Sequence, residues 1–180
     1  RQSMFNYSQE FLEVGYKELN IPANADGTHK LDKNSLHIWP RGNFMLMALA
    51  NLDGSFTCTL FMPHDGENSF ESLKTKEQLV DFFANHFLDT KEVIPNLAED
   101  FFKNPTSTLV TMKCFPWTYK DKVALIGDAS HAIVPFYGQG MNAGFEDITV
   151  LNEMIEKYGD DWEAIFSEYQ KSRKPNADAI

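Results

Sequence analysis

The residues of this chain that could do chemistry are concentrated in the stretch from Val123 to Asp147, VALIGDASHAIVPFYGQGMNAGFED. The apolar run Lys122 to Ile126 reads as a short buried strand ending in Gly127-Asp128. Ligands of α/β folds gather at the carboxyl ends of strands, and a carboxylate there can accept hydrogen bonds from sugar hydroxyls. Further on, Gly138, Gly140 and Gly144 punctuate the start of a helix. Glycine permits positive φ and close approach of backbone to a ligand. A helix N-terminus adds unpaired N–H groups and the positive end of a dipole. Together these suit a nucleotide-like cofactor with an electron-rich ring. The plainer reading is tight strand–helix packing with no ligand. The pattern is not a dinucleotide fingerprint: the glycine spacing is wrong, and no acidic residue stands at the required distance on a following strand.

The elements that must position this stretch follow from periodicity and punctuation. Residues 1–12 read as the end of a helix or a helical turn, Glu13 to Ile21 as a strand stopped by Pro22, and Leu36 to Trp39 as a short strand ending at Pro40. Phe44 to Ala50 and Phe56 to Met62 flank an Asp53-Gly54 turn, a strong hairpin signal. Both faces of its first strand are apolar, with Phe44, Leu46 and Ala48 on one and Met45, Met47 and Leu49 on the other. Each face therefore needs a cover, of helices or of a ligand cavity. Thr75 to Leu88 is a helix with Thr75 and Gln78 as a capping box. Ala98 to Lys103 is a shorter helix and Thr108 to Phe115 a strand. After Pro116 the pattern becomes strand, loop, helix, helix. The first helix, about Met141 to Tyr158, is expected to bury Phe145, Ile148, Leu151, Ile155 and Tyr158. The second is capped by Asp160 or Asp161 and carries Trp162, Ile165, Phe166 and Tyr169 on one face.

Composition bounds the function. The 180 residues carry a formal net charge of -10, which argues against nucleic acid as a partner. Cys58 and Cys114 form no close pair, so neither a disulfide framework nor a zinc knuckle is implied, and each reads as a core residue in a reducing compartment. No histidine pair has metal-ligand spacing, and no metal is expected. No apolar run is long enough to span a bilayer, and no signal peptide is visible. Both ends read as cut from a longer chain. His131 reads as a packed residue hydrogen-bonded to backbone, in preference to an acid or base. Glu146 and Asp147 read as complements to a helix dipole. The Phe82-Phe83-Phe87 stripe reads as core, and so do Met45 and Met47 when nothing else is assumed.

Gly127-Asp128, His131, Pro135 and Gly138-Gln139-Gly140-Met141-Asn142 resemble, in order, the second FAD motif of the single-component flavin-dependent aromatic hydroxylases. The longer run from Ile133 to Asp147 is most similar to the kynurenine-hydroxylating branch of that family. Gly15-Tyr16-Lys17-Glu18-Leu19, Ile38-Trp39-Pro40-Arg41-Gly42 and Ala50 to Thr57 carry the resemblance over nearly the whole chain. It implies an FAD-dependent monooxygenase that uses NADPH and O2 to hydroxylate a small aromatic amino acid, L-kynurenine, at ring C3. On that reading Asp128 holds ribityl or ribose hydroxyls of FAD, and Pro135 to Asn142, including Gly138, run beside the flavin ring. Backbone N–H groups near Gly140, Met141 and Asn142 face the ring edge that becomes negative on reduction. Pro135, Phe136 and Tyr137 sit between flavin and substrate, although relatives often have His or Phe where this chain has Tyr137. Phe44, Met45 and Met47 are implied as pocket walls. No side chain is implied as a catalytic acid or base; the protein positions, excludes water and stabilises flavin charge.

The resemblance also implies parts that are not among these residues: a Gly-rich βαβ unit for the ADP half of FAD, an Arg and a Tyr for the substrate carboxylate and amine, and closing helices. Arg1 would end the family's Asp-Gly motif. The 180 residues alone are therefore expected to bind FAD weakly or not at all and not to turn over. The expected architecture is α+β. Residues 1–115 form a mostly antiparallel substrate-binding sheet with helices on one face, and residues 116–180 are the returning, incomplete part of a Rossmann-like FAD domain. Eukaryotic members of the family are tied to the mitochondrial outer membrane by a C-terminal segment, which this window does not contain. The expected location here is the cytoplasm, of bacterial type. The competing readings are a hydroxylase for another aromatic, and a non-catalytic module using the apolar hairpin to bind a hydrophobic ligand or protein.

Overall fold

A computed structural model describes residues 4–180. The strands and helices are, in chain order, β1 (Asn6–Ile21), β2 (His37–Arg41), β3 (Phe44–Ala50), β4 (Phe56–Pro63), α1 (Lys76–His86), α2 (Leu97–Lys103), β5 (Ser107–Phe115), β6 (Thr118–Tyr119), β7 (Val123–Ala124), β8 (His131–Ala132), α3 (Gly140–Tyr158) and α4 (Trp162–Asp178). A six-stranded sheet runs in the order β2-β3-β4-β1-β5-β8, and β6 and β7 form a separate antiparallel pair. Every pairing with a described register is antiparallel. The α+β class expected from the sequence is the class observed.

Two local readings need correction. The residues read as a helical turn, from Asn6 onward, are the first part of β1; residues 1–3 of that reading, and with them Arg1, lie outside the described residues. The β4 ladder on β1 begins only at Val14, so the earlier part of β1 has β5 as its neighbour in the sheet order. A ladder partner distant in sequence overrides weak local preference. β2 also continues through Pro40, which faces Met45. Proline is tolerated there because β2 is an edge strand and need not donate outward.

The chain divides into two compact units, Glu13–Leu109 and the combination of Val110–Ile180 with residues up to Leu12. In the first unit the sheet registers sort the hairpin's faces. Leu19, Cys58 and Ala48 align across one row, and Lys17, Leu60 and Leu46 across the next, all on the face that carries the main core. Helix α1 covers that face with Leu79, Phe82 and Phe83, and Phe87 follows at its C-cap. Fully buried groups such as Leu46, Phe56, Leu60 and Phe87 each contribute roughly 1.5–3 kcal/mol. The helix starts where expected: Thr75 Oγ1 accepts from Gln78 N at 3.3 Å while Gln78 Oε1 accepts from Thr75 N at 2.9 Å. Lys17 is buried in this core. Its Nζ donates to Asn104 O at 2.7 Å and lies 4.7 Å from the Phe101 ring centre, and burial lowers its pKa. Cys58 is fully buried, and burial pushes its thiol up to about 12, which makes it an inert core residue.

In the second unit α3 and α4 pack around Cys114, Trp117, Tyr169 and Ala177, joined by Leu125, Ile126, Val150, Leu151 and Met154. The face of α3 is only partly the one expected: Leu151, Ile155 and Tyr158 are half-buried. Phe145 and Ile148 are 61% and 54% exposed, while Ala143 and Asp147 are buried. The apolar period alone aligns Phe145 with Leu151 and Ile155; in the first turns the packing instead turns Ala143 and Asp147 inward, and further along Val150, Leu151 and Met154 pack on the core. Helix α4 is capped by Asp161, whose Oδ1 accepts from Ala164 N at 3.1 Å. It buries Ile165, Phe166 and Tyr169, and leaves Trp162 at 42% exposure.

Candidate flavin site

The motif stretch lies wholly in the second unit. Its strand is shorter than expected: β7 covers only Val123–Ala124, and Leu125 N carries the same register one pair further by donating to Trp117 O at 2.8 Å. The chain then turns at Gly127, φ +60, into a single 3-10 turn, Gly127–Ala129. Ser130 Oγ donates back to Gly127 O at 2.8 Å and closes the turn. Asp128 stands on it with its side chain exposed, so its oxygens are available to external donors.

After β8 the chain makes a second 3-10 turn, Pro135–Tyr137, ended by Gly138 in the left-handed region at φ +64. That conformation disfavours any side chain, which accounts for the glycine. Gln139 then serves as N-cap of α3 without a capping side-chain bond, and the first turn of α3 holds no acidic residue. The N–H groups of Gly140, Met141 and Asn142 precede the first intrahelical donor, Ala143 N, which donates to Gln139 O at 2.9 Å. A 19-residue helix thus ends with uncapped donors and an uncompensated positive pole. Side chains brace the approach: Gln139 Nε2 donates to Tyr137 O at 3.0 Å, and Asn142 Nδ2 donates to Gln139 Oε1 at 3.1 Å. Pro135, Tyr137, Gly138, Met141 and Asn142 are exposed; Phe136 and Gly140 are half-buried. Gly144 meets Gly127 at ordinary van der Waals distance: a Cβ on either would lie 3.8 to 3.9 Å from the other's Cα. An open anion-favouring helix end, a left-handed glycine before it and an exposed carboxylate on the preceding turn fit a flavin nucleotide.

Beneath the turn lies a buried charge network that the dipole reading of Asp147 missed. Asp147 lies in the second turn of α3 and is fully buried. Its Oδ2 accepts from Gly127 N at 2.9 Å and lies 2.7 Å from His131 Nε2; its Oδ1 accepts from Arg173 Nε at 2.7 Å. Burial alone would raise its pKa, but the Arg173, Gly127 and His131 contacts outweigh burial and hold the carboxyl below its ordinary value. His131 is therefore bonded to a side-chain carboxylate and not to backbone as expected. With Asp147 ionised, the His131 proton that faces it sits on Nε2. Its Nδ1 is buried with no hydrogen-bond partner among the described residues. Arg173 Nη2 also donates to Ala143 O at 3.3 Å, and Nη1 lies 2.9 Å from Glu146 Oε2. Glu146 is thus an ion-pair partner on the rim, not a first-turn acid. Tyr169 Oη donates to Leu125 O at 3.1 Å, and its pKa is raised by burial and by Asp147. Arg173 carried one sequence signal: it continues the apolar face of Ile165, Phe166 and Tyr169, where a charge must find a partner.

In the other unit, Phe44 packs into the helix-covered core, 5.3 Å from the Phe82 ring and 5.9 Å from that of Phe87. Met45 and Met47 project to the opposite face, in register with Phe61 and Thr59. Phe44 therefore cannot share a wall with Met45 and Met47. Among the described residues no group of three or more His, Cys, Asp or Glu could hold a metal ion, and no helix is long and apolar enough to cross a membrane.

Known proteins are similar to this chain. The kynurenine 3-monooxygenase of Flavobacterium johnsoniae is 82% identical over all of this chain, which spans 40% of that relative. The kynurenine 3-monooxygenase of Dictyostelium discoideum is 52% identical over 97% of the chain, spanning 41% of the relative. The chain thus spans about two fifths of the length of the curated relatives it matches. Among solved structures, tetrameric 2-methyl-3-hydroxypyridine-5-carboxylic acid oxygenase superposes with a TM-score of 0.73 at 18% identity, over 97% of this chain and 46% of that one. Klebsiella pneumoniae HpxO, complexed with FAD and uric acid, superposes with a TM-score of 0.69 at 19% identity, over 94% of this chain and 43% of that one. Those two likenesses concern the fold. Residues 69–180, which include the whole of the motif stretch, match the family described as the FAD binding domain, and the chain belongs to that family.

Proposed function

We propose that the protein carrying this chain is an FAD-dependent monooxygenase that hydroxylates L-kynurenine to 3-hydroxykynurenine, with NADPH and O2 as co-substrates. The observation that carries the flavin part is the uncapped N-terminus of α3 behind left-handed Gly138, with Asp128 exposed on the preceding turn. The substrate follows from the relatives named kynurenine 3-monooxygenase, 82%, 76% and 69% identical over the full chain.

On this reading Asp128 accepts hydrogen bonds from sugar or ribityl hydroxyls of FAD. The N–H groups of Gly140, Met141 and Asn142 stabilise negative charge at the flavin edge, and Pro135 and Gly138 shape the backbone beside the ring. When bound, the flavin supplies the hydride acceptor and the site of oxygen activation. The chain's own residues bind, orient and exclude water, and none serves as a strong acid or base. Pro135, Phe136 and Tyr137 contact the aromatic substrate. On the same reading Met45 and Met47 wall the substrate pocket, and Phe44 supports them from the core face. We assign substrate binding to residues 1–115 and flavin binding to residues 116–180, and a cytoplasmic location of bacterial type. The net charge of -10 favours a small-molecule partner over nucleic acid. The 180 residues by themselves are expected not to turn over.

The test uses the full-length protein. A visible flavin spectrum, kynurenine-stimulated NADPH oxidation and 3-hydroxykynurenine as product are expected. Flavin without that product would move the substrate to another aromatic. A protein purified without flavin, and unable to take up added FAD, would overturn the cofactor assignment.

A further inference from the structure

We infer that Asp147 is the positioning residue of the flavin site, an inference that rests on the reading above of Asp128 and the α3 N-terminus as FAD contacts. One buried carboxylate organises three segments that carry the proposed contacts. Its Oδ2 holds Gly127 N at 2.9 Å and thereby the turn that presents Asp128. The same oxygen lies 2.7 Å from His131 Nε2, at the start of the segment that leads to Pro135. Its Oδ1 holds Arg173 Nε at 2.7 Å, and Arg173 Nη2 donates to Ala143 O at 3.3 Å, directly after the uncapped N–H groups of α3. The three side chains at its centre are buried: Asp147 and Arg173 fully, and His131 to 3% exposure.

Stability alone does not account for this arrangement. A buried ion pair loses so much hydration that well-packed apolar side chains serve a fold as well or better. A charged group aimed at three separate segments instead fixes their mutual geometry, which an apolar side chain cannot do because dispersion contacts are not directional. Asparagine is nearly isosteric with Asp147 but offers one acceptor oxygen. Its amide would set N–H against a donor, either Arg173 Nε or Gly127 N. The turn bearing Asp128 or the first turn of α3 would then lose its register. Asp147 touches no proposed ligand atom, so it acts through Asp128 and the helix end.

The experiment measures FAD dissociation constants by fluorescence titration of the deflavinated full-length enzyme, for wild type, Asp147→Asn, Asp128→Asn and the double variant. Asp147→Asn is expected to weaken FAD by roughly tenfold or more, the scale on which misplacement of a binding group is felt. In the Asp128→Asn background the same change is expected to have a smaller effect, because one of the two contacts it positions is already impaired and only the part carried by the helix end remains. Wild-type affinity in Asp147→Asn, or losses that simply multiply in the double variant, would overturn the inference. Should Asp147→Asn not fold, Arg173→Lys keeps the charge but loses the fork that reaches both Asp147 and Ala143. It is expected to weaken FAD in the same direction, and unchanged affinity would overturn the inference. A wild-type protein without affinity for FAD would sink the flavin assignment itself, an outcome distinct from a flavin-loaded wild type with an unaffected Asp147→Asn.

Discussion

Arg173 Nε donates to Asp147 Oδ1 at 2.7 Å, and neither side chain is more than 1% exposed. Removing one partner strands the other charge in the interior. Arg173→Met is expected to destabilise the enzyme by about 3–5 kcal/mol, whereas replacing both residues by apolar side chains of similar volume is expected to lose much less. Urea unfolding midpoints of the single and double variants check the ordering.

The same pair sets an acid limit. The Asp147 carboxyl is held below its ordinary value of 3.8 by Arg173, Gly127 and His131, against the opposing effect of burial. A depressed folded-state pKa contributes stability that is fully present above the unfolded value and is lost as pH falls through the folded value. Thermal midpoints are therefore expected to fall below about pH 4, and Asp147→Asn is expected to flatten that part of the profile. An equally steep acid decline in Asp147→Asn would show that other carboxylates govern it.

Gly15 in β1 leaves no room for a side chain. A Cβ there would lie 2.5 Å from His64 Cε1 and 2.8 Å from the backbone oxygen of Ser107. The imidazole could shift, but the strand carbonyl could not. Gly15→Ala is expected to destabilise by roughly 1–3 kcal/mol, and His64→Ala in the same protein to restore only part of it. Denaturant midpoints with unchanged slopes would register both effects.

Gly138 and Gly144 should separate in their tolerance. Gly138 lies at φ +64 with open space where a Cβ would go, so Gly138→Ala is strained by conformation and not by contact. It is expected to weaken FAD in the full-length enzyme with a loss of stability of about 1 kcal/mol. Gly144 is helical, and its Cβ would meet Gly127 Cα at an ordinary 3.8 Å. Gly144→Ala is expected to fold as well as wild type or better, by up to about 1 kcal/mol. Calorimetry with parallel FAD titration distinguishes the two.

The reciprocal bonds of Thr75 and Gln78 at the start of α1 predict a loss of about 1 kcal/mol in Thr75→Ala and near-recovery in Thr75→Ser. Comparison of the two variants by chemical denaturation tests the cap itself, because both lose the γ-methyl group and only one keeps the hydroxyl.

Much of the scaffold was legible because its determinants are local. Asp53-Gly54 between two apolar runs gave the β3–β4 hairpin, and Thr75 with Gln78 gave the start of α1. The motif around Gly138 placed the helix end that the flavin reading needs. Asp161 rather than Asp160 caps α4, a choice of one residue that propensity does not resolve.

The sequence by itself determined most of the element types, the class of fold and the ordered flavin motif, since turn chemistry, caps and periodicity act over a few residues. Tertiary structure alone decided which face of α3 turns inward. Phe145 and Ile148 look outward and Asp147 inward, because Asp147 has partners 20 residues before it, at Gly127, and 26 after it, at Arg173. It likewise decided that Phe44 belongs to the core and Met45 and Met47 to the opposite face, and that the chain from Asn6 is strand. In each case the deciding energy belongs to groups far apart in sequence. A buried carboxylate must find its donors and a strand its ladder, and one-dimensional patterns of apolar residues carry no record of where those partners stand.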